Sequence, residues 1–279
     1  MKDKNQPDLL QGIGGLARRR LAIILRKIKG CISAKSVQET LQISPGKARR
    51  LLSSWAKNGW LKRIQQGLYL PIDIEADNME QVLLDPWKIG IEKFFPCYIG
   101  GWSAAQYWEL TDQIFESTIL ITTKHFDKKQ WLIGPLRFIV TKVKPHQMFG
   151  LTTIWKDGIK ITISDIHKTI IDLLNNPSLG GGILSVTDYF LKYLSHEQRD
   201  LNVLIQYGDK MENRTIFKRL GFLLEIFNSE NSDTIAQCLN RISKGNTQLD
   251  PATKGRRLVK KWRLWIPENL TKALKMEML

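Results

Sequence analysis

The chain has 279 residues, of which 43% are hydrophobic and nine are tryptophan, so it can bury one or two packed cores, which excludes general disorder. The formal net charge is +15, and the first 72 residues carry +12 of it, with 15 basic residues against three acidic ones. The remaining residues are nearly neutral, with 27 basic against 24 acidic. A compact basic segment on a near-neutral body is typical of proteins that bind nucleic acid.

Other simple features exclude several classes of protein. The apolar run nearest the N-terminus covers only residues 21–25, which predicts neither a signal peptide nor a membrane span. Cys31, Cys97 and Cys238 are far apart and lack a C-x-x-C spacing, so they indicate neither a disulfide framework nor a zinc site. We therefore expect a cytoplasmic protein with reduced thiols, no membrane association and no cofactor.

Three helical patterns follow one another between residues 16 and 57. Gly30 is expected to end the first helix, and Ser33 is a suitable N-cap for the second. Ser44 and Pro45 fit the N-cap and first position of the third helix, and Gly59 fits its end. The pattern predicts three short helices in the basic segment.

The third helix has two distinct faces. Residues that pack against the other helices recur at helical spacing: Ala48, Leu51, Leu52 and Trp55. A separate stripe carries side chains that can donate hydrogen bonds outward: Lys47, Arg50, Ser54 and Lys57. One buried face and one cationic face are what a recognition helix in a DNA major groove requires.

A predicted β-hairpin follows the third helix at residues 60–70, with a Gln-Gln-Gly turn, and Pro71 closes it. Three helices followed by a hairpin predict a winged helix-turn-helix domain over residues 1–72. Lys62 and Arg63 would lie on the wing, where contacts to phosphate are expected. The predicted DNA-binding residues are Lys47, Arg49, Arg50, Ser54, Lys57, Lys62 and Arg63.

The rest of the chain is expected to be a polar linker at residues 73–86 and a mixed α/β domain at residues 87–279 that ends in a helical region. The fold class predicted for the whole chain is therefore α+β. A helix capped near Ser103 should follow Gly100-Gly101. Because no phosphate-binding motif accompanies these two glycines, they indicate close backbone packing and not a phosphate site. Strands are predicted at residues 117–122, 136–143, 151–155 and 159–163, and helices at residues 164–174, 183–193, 197–207, 213–226 and 234–241. The basic segment at residues 254–263 fits either a helix or a strand. Its function could be a second contact, to nucleic acid or to an acidic partner, or it could be a solvated rim.

No motif of an enzyme is evident, and we predict that the protein is not one. The chain has no phosphate-binding glycine loop, no nucleophile elbow and no H-x-x-x-H pair. Asp165, His167 and Asp172 are close in sequence, but Asp165 is explained by a helix start and His167 by an exposed position. Two other hypotheses remain open: a winged-helix-guided nuclease or nucleotidyltransferase and a regulator whose second domain senses a small molecule. The nuclease-like set would be Asp127, Asp157 and Lys160.

The sequence resembles the AbiEi-type antitoxins. Residues 52–69 are similar to the end of the winged-helix domain of that family, in which G-x-(I/L)-x-(R/K)-(I/V)-x-x-G-(L/V)-Y closes the wing. Three further stretches resemble its C-terminal region: residues 98–105 with 110–112, residues 163–173, and residues 218–225. One departure is His167-Lys168, where an arginine often precedes the threonine.

The resemblance implies a type IV toxin–antitoxin system, often tied to phage defence. It implies a winged-helix repressor that binds inverted repeats in its own promoter and counteracts an AbiEii-like nucleotidyltransferase toxin. It does not specify whether the two proteins contact each other directly. The inference of a toxin and of a promoter site rests on analogy with the family. The basic module and the lack of catalytic motifs are inferred from the residues of this sequence.

Overall fold

The structure is a computed structural model that describes residues 14–28, 31–72, 85–156 and 158–267. The predicted α+β class is confirmed: helices at the N-terminal end are followed by sheets and then by a helical C-terminal region. The chain divides into two compact units. The first unit holds the described residues up to Phe95 with Trp131–Phe138 and Trp155–Ile161, and the second holds those of Pro96–Gln130, Ile139–Ile154 and from Thr162 onward.

The first unit begins with three helices interleaved with short strands. Its elements are α1 (Gly15–Lys27), β1 (Ile32–Ser33), α2 (Ala34–Leu41), α3 (Pro45–Lys57), β2 (Leu61–Gln65), β3 (Leu68–Pro71) and α4 (Pro86–Phe94). Three antiparallel strands form a sheet in the order β1-β3-β2. Most of the predicted linker lies outside the described residues, but Asp85 caps α4 and Pro86 is its first residue.

Local signals explain most of these boundaries. Ser33 caps α2 as predicted, since its hydroxyl accepts from Ser36 N at 3.1 Å and Ser36 Oγ accepts from Ser33 N at 2.9 Å. Pro45 is the first residue of α3, although the Ser44 side chain makes no capping hydrogen bond. Gly67 turns the predicted hairpin with a φ of 81°, a left-handed conformation that favours glycine.

The core of the first unit confirms the predicted apolar face of α3. Ala48, Leu52 and Trp55 are fully buried, and Leu51 is partly buried. They pack with residues from the other helices and from the sheet: Leu21, Ile24, Ile32, Val37, Leu61 and Tyr69. Burial of this stripe leaves the opposite face of α3 directed away from the core.

The remaining elements confirm the four predicted strands and the predicted helices, with shifted ends, and include five further strands. The strands are β4 (Cys97–Ile99), β5 (Ser117–Thr122), β6 (Gln130–Ile133), β7 (Leu136–Lys142), β8 (Leu151–Lys156), β9 (Ile159–Ser164), β10 (Thr247–Gln248), β11 (Arg257–Val259) and β12 (Leu264–Ile266). The helices are α5 (Gly101–Tyr107), α6 (Ile166–Asn175), α7 (Ile183–Ser195), α8 (Leu201–Lys210), α9 (Thr215–Phe227) and α10 (Ser232–Leu239). The larger sheet has the order β6-β7-β5-β4-β9-β8, and the smaller has the order β10-β12-β11.

The glycine pair at the start of α5 allows close packing, as predicted. A Cβ on Gly100 would lie 2.6 Å from Ile121 Cδ1, and a Cβ on Gly101 would lie 2.6 Å from the carbonyl oxygen of Leu179. The helix begins at Gly101, earlier than the predicted cap at Ser103. The Ser103 hydroxyl instead accepts a hydrogen bond from the main chain of Ile119 at 3.0 Å.

A buried ion pair lies in the core of the second unit. Lys168 and Asp172 are separated by one turn of α6, and the Lys168 ammonium donates to the Asp172 carboxylate. The Tyr98 hydroxyl donates to Asp172 at 2.8 Å and accepts from Lys168 at 3.0 Å. Burial raises the pKa of Asp172, and the Lys168 charge offsets part of that shift. The pair is satisfied internally, which limits the cost of burying charge.

Helix α9 holds the C-terminal strands through a series of side chains. The Arg219 guanidinium donates to four carbonyl oxygens, those of Leu174 and Asn175 at the end of α6 and those of Gln248 and Leu249. Burial lowers the pKa of Arg219 to about 10, so it stays charged at neutral pH.

Further along α9, Gly221 lies against the buried ring of Trp262, and Glu225 accepts from Lys261 and from the Trp262 indole. The Lys218 ammonium donates to the carbonyl oxygen of Gly245. The stretch at residues 218–225 therefore fastens the small sheet to the helices.

We predict that Gly221→Ala destabilises the protein. Alanine in a helix interior is normally favoured over glycine by about 1 kcal/mol, but here the new methyl group would overlap the fully buried Trp262 ring. Overpacking of this kind costs about 1–3 kcal/mol, so the net change should be a loss of stability. Urea unfolding followed by tryptophan fluorescence measures it. Gly245→Ala is the control, since nothing lies within 4 Å of its added Cβ; equal midpoints for the two variants would contradict the packing.

We also predict opposite effects for two glycines of the first unit. Gly67→Ala places a side chain on a residue whose φ of 81° is left-handed, and it should lower the free energy of unfolding by about 1–2 kcal/mol. Gly46→Ala in α3 meets no atom within 4 Å and should stabilise the unit by about 0.4–1 kcal/mol. Thermal unfolding of the two single variants compares them directly. A stabilising Gly67→Ala would mean that the hairpin turn has a different conformation.

Candidate nucleic-acid interface

The outward face of α3 forms one side of an open groove of about 300 Å³. Lys47, Arg50 and Ser54 line it at helical spacing, together with the apolar side chains of Ile43 and Leu51. All three polar residues are exposed. Because the other side of the helix is buried by Ala48, Leu52 and Trp55, the backbone that carries these donors is held firmly.

Arg20 lines the same groove from α1. Arg20 is absent from the residues predicted to bind DNA, because the sequence pattern of α1 indicates only an apolar face. The signal was present in the basic run Arg18-Arg19-Arg20, but spacing within α1 does not show which of the three reaches α3. The structure thus adds one cation to the predicted set.

The other predicted residues lie around this groove and do not line it. Arg49 and Lys57 are exposed on α3. Lys62 and Arg63 are neighbours on β2, opposite Leu70 and Tyr69 of β3, so they point to opposite faces of the hairpin. Arg63 is exposed, and Lys62 is half-buried. The predicted set therefore divides between the helix face and the hairpin.

The charge of this surface is not balanced locally. In the described part of the chain up to Ile72, the single acidic residue is Glu39, which lies 3.9 Å from Lys35 on α2. No described carboxylate pairs with Lys47, Arg50 or Lys57. Unpaired cations on one face repel one another and attract a polyanion, since phosphates can displace their counterions on binding.

Of the three residues considered for acid–base chemistry, two make contacts that stabilise the fold. Asp165 caps α6, accepting from Lys168 N at 2.7 Å, and it also accepts from the Tyr207 hydroxyl at 2.8 Å. Asp172 is buried in its pair with Lys168. His167 is not exposed as expected: its side chain is 16% exposed, its Nε2 is buried without a hydrogen-bond partner among the described residues, and its Nδ1 lies 4.0 Å from Asp165.

The nuclease-like set cannot be assembled from the described residues, because Asp157 lies outside them. Asp127 is exposed in the second unit, and Lys160 belongs to the first, where its ammonium lies 6.0 Å from the centre of the Trp155 ring. Within the ranges that the structure describes, no three His, Cys, Asp or Glu side chains are grouped as metal ligands would be.

Within the C-terminal basic segment, Arg257–Val259 form the strand β11 and none of residues 254–263 is helical, so the strand alternative is confirmed for that part. Leu258 of β11 pairs with Trp265 of β12, and the buried Trp262 between the strands packs on α9. Lys261 pairs with Glu225, and exposed cations elsewhere in the segment include Arg256 and Lys260. None of the described helices is both long enough and apolar enough to span a bilayer.

Comparison with known proteins identifies a shared fold. No protein-family model matches the sequence. The curated proteins likewise give no match. The crystal structure of the RV2827C protein from Mycobacterium tuberculosis is similar, with a TM-score of 0.57 at 11% sequence identity, over 95% of this chain and 96% of that chain. At this identity the similarity concerns the arrangement of the backbone along nearly the whole of both chains.

Proposed function

We propose that the protein binds double-stranded DNA and that residues 14–72 act as a winged helix-turn-helix, with α3 as the recognition helix. The observation that carries this proposal is the two-sided α3, which buries Trp55 and presents Lys47, Arg50 and Ser54 to an open groove. The order of the elements also supports it, since two helices and the candidate recognition helix are followed by a hairpin with Arg63 exposed.

The proposed DNA site is the protein's own promoter, where it would act as a repressor in the cytoplasm. One such unit reads a short half-site, so an inverted repeat would bind two copies of the chain. Side chains on α3 would contact base edges, and cations on the hairpin would contact phosphates. No step of this function requires a cofactor or a catalytic group.

We further propose that the protein is the antitoxin of a type IV system and counteracts a nucleotidyltransferase-like toxin. This part rests on the sequence resemblance. The three stretches that carry it supply the close packing of Gly100 and Gly101, the pair of Lys168 with Asp172, and the contacts of Arg219 in the second unit. We place the antitoxin activity in this unit, and direct contact with the toxin is left open by the proposal.

We predict that Arg50→Ala and Lys47→Ala weaken binding to DNA from the region upstream of the protein's own gene. Each variant should lose about 1–3 kcal/mol if the side chain contacts a base, and less if it contacts only phosphate. Fluorescence anisotropy at fixed salt measures the affinities. Arg26→Ala is the matched control, because Arg26 is exposed in the last turn of α1 and does not line the groove.

The salt dependence of the same titration separates the two kinds of contact. The logarithm of the affinity should fall linearly with the logarithm of salt concentration, with a slope of about −0.9 for each phosphate neutralised. A phosphate-contacting lysine reduces that slope by about one when it is removed. A flat salt response, or an Arg50→Ala variant that binds like Arg26→Ala, would contradict the assignment of α3.

We predict that neutralisation of the toxin does not require the DNA-binding face. If the neighbouring gene is induced in a heterologous host, co-expression of the full chain should restore growth, and the Lys47→Ala/Arg50→Ala double variant should restore it equally. A promoter–reporter fusion in the same cells should be repressed by the wild type only. A toxic neighbour that the wild-type chain does not rescue would overturn the antitoxin proposal while leaving the DNA-binding proposal intact.

A further inference from the structure

The second unit contains a basic pocket far along the sequence from α3. Its volume is about 530 Å³, within the range of about 300–1,000 Å³ that is usual for small-molecule sites. Four lysines line it, and we name it the lysine pocket after them: Lys124, Lys128, Lys129 and Lys142. The loop after β5, the strand β7 and the turn after α6 form its walls.

The lining of the lysine pocket contains cations and no carboxylate. His125 joins the four lysines, and all five side chains are exposed. Asp127 is in the same loop but does not line the pocket. A concave surface of one charge focuses the electrostatic field and raises the local concentration of anions. The lining therefore favours a ligand with several negative charges.

The walls of the pocket are fixed by hydrogen bonds of the main chain. Val140 N donates to the Lys129 carbonyl at 2.7 Å, which ties the loop to β7. Val143 N donates to the Thr122 carbonyl at 2.8 Å, and Lys124 N donates to Thr122 Oγ1 at 3.1 Å. Cations carried on a fixed backbone lose less entropy when they bind an anion than cations on a free loop.

An apolar floor accompanies the charge. Val140 and Leu179 are buried, Ile139 and Phe126 are partly buried, and all four line the pocket. Asn176 adds an amide from the turn after α6. A simple inorganic anion would use the lysines and leave this floor uncovered. A ligand with an anionic end and a flat or apolar body would use both.

We propose that the lysine pocket binds a small molecule of nucleotide size that carries two or more phosphate groups. The ammonium groups of Lys129 and Lys142 contact the phosphates, and Ile139 and Leu179 contact the body of the ligand. The site lies in the second unit and does not depend on DNA binding by α3. The binding involves no covalent step, so it requires no catalytic residue.

Isothermal titration of the full chain with ATP, inorganic triphosphate and adenosine tests the proposal. We expect ATP to bind with a micromolar Kd, triphosphate to bind more weakly, and adenosine to show no binding. The Lys129→Gln/Lys142→Gln double variant should bind ATP at least tenfold more weakly. The control Lys254→Gln/Lys260→Gln removes two exposed lysines that do not line the pocket and should bind ATP like the wild type.

Several outcomes would overturn the proposal. Wild-type protein that binds neither ATP nor triphosphate, or a pocket variant that binds ATP as tightly as the control, would exclude the site. Loss of ATP binding in the Lys47→Ala/Arg50→Ala variant would move the site to the first unit. A short single-stranded oligonucleotide that binds the same lysines far more tightly than ATP would make the pocket a nucleic-acid contact. An unchanged melting temperature for each variant confirms that only the site was altered.

Discussion

The buried Arg219 guanidinium donates four hydrogen bonds that connect the end of α6 to Gln248 in β10 and to Leu249 after it. The packing of the second unit depends on these hydrogen bonds. The carbonyl oxygens at a helix C-terminus have few hydrogen-bond donors of their own and carry partial negative charge. The buried guanidinium supplies those donors, and the carbonyl oxygens in turn accept its N–H groups. Lys218, Gly221 and Glu225 extend this attachment along α9 to the C-terminal strands. An apolar residue in place of Arg219 would remove the donor from all four carbonyl oxygens, two of which are in fully buried hydrogen bonds.

Buried and exposed cations have different roles in this protein. In the second unit, Lys168 and Arg219 are buried and bonded to partners inside the protein, so their charges stabilise the fold and are not available to a ligand. In the first unit, Lys47 and Arg50 are exposed and no described carboxylate neutralises them. Their position is nevertheless fixed, because Trp55 anchors the opposite face of α3 in the core. Exposed cations on an anchored helix, and not the net charge alone, support the proposal that the first unit binds a polyanion.

Local signals made α1, α2, α3 and the hairpin of the first unit and most of the second unit predictable, and tertiary pairing accounts for part of what was missed. The capping by Ser33, the first-position Pro45 and the glycine turn at Gly67 each act within a few residues. Strand β4 was not predicted because its three residues are held by pairing with β5 and β9, far away in sequence. Helix α4 was not predicted, although Asp85 caps it and Pro86 is its first residue, because the polar and acidic sequence of residues 73–86 indicates a linker. The lysine pocket could not be foreseen, since it joins residues from three separate segments.

Lysine modification in the presence and absence of DNA tests the central claim most directly. The full chain, free and saturated with a duplex from upstream of its own gene, would be reductively methylated and analysed by mass spectrometry. The account predicts that Lys47 and Lys57 on α3 become protected by DNA, whereas Lys254 in the second unit reacts equally in both samples. A saturated complex in which the α3 lysines remain as reactive as in the free protein would show that another surface binds the DNA.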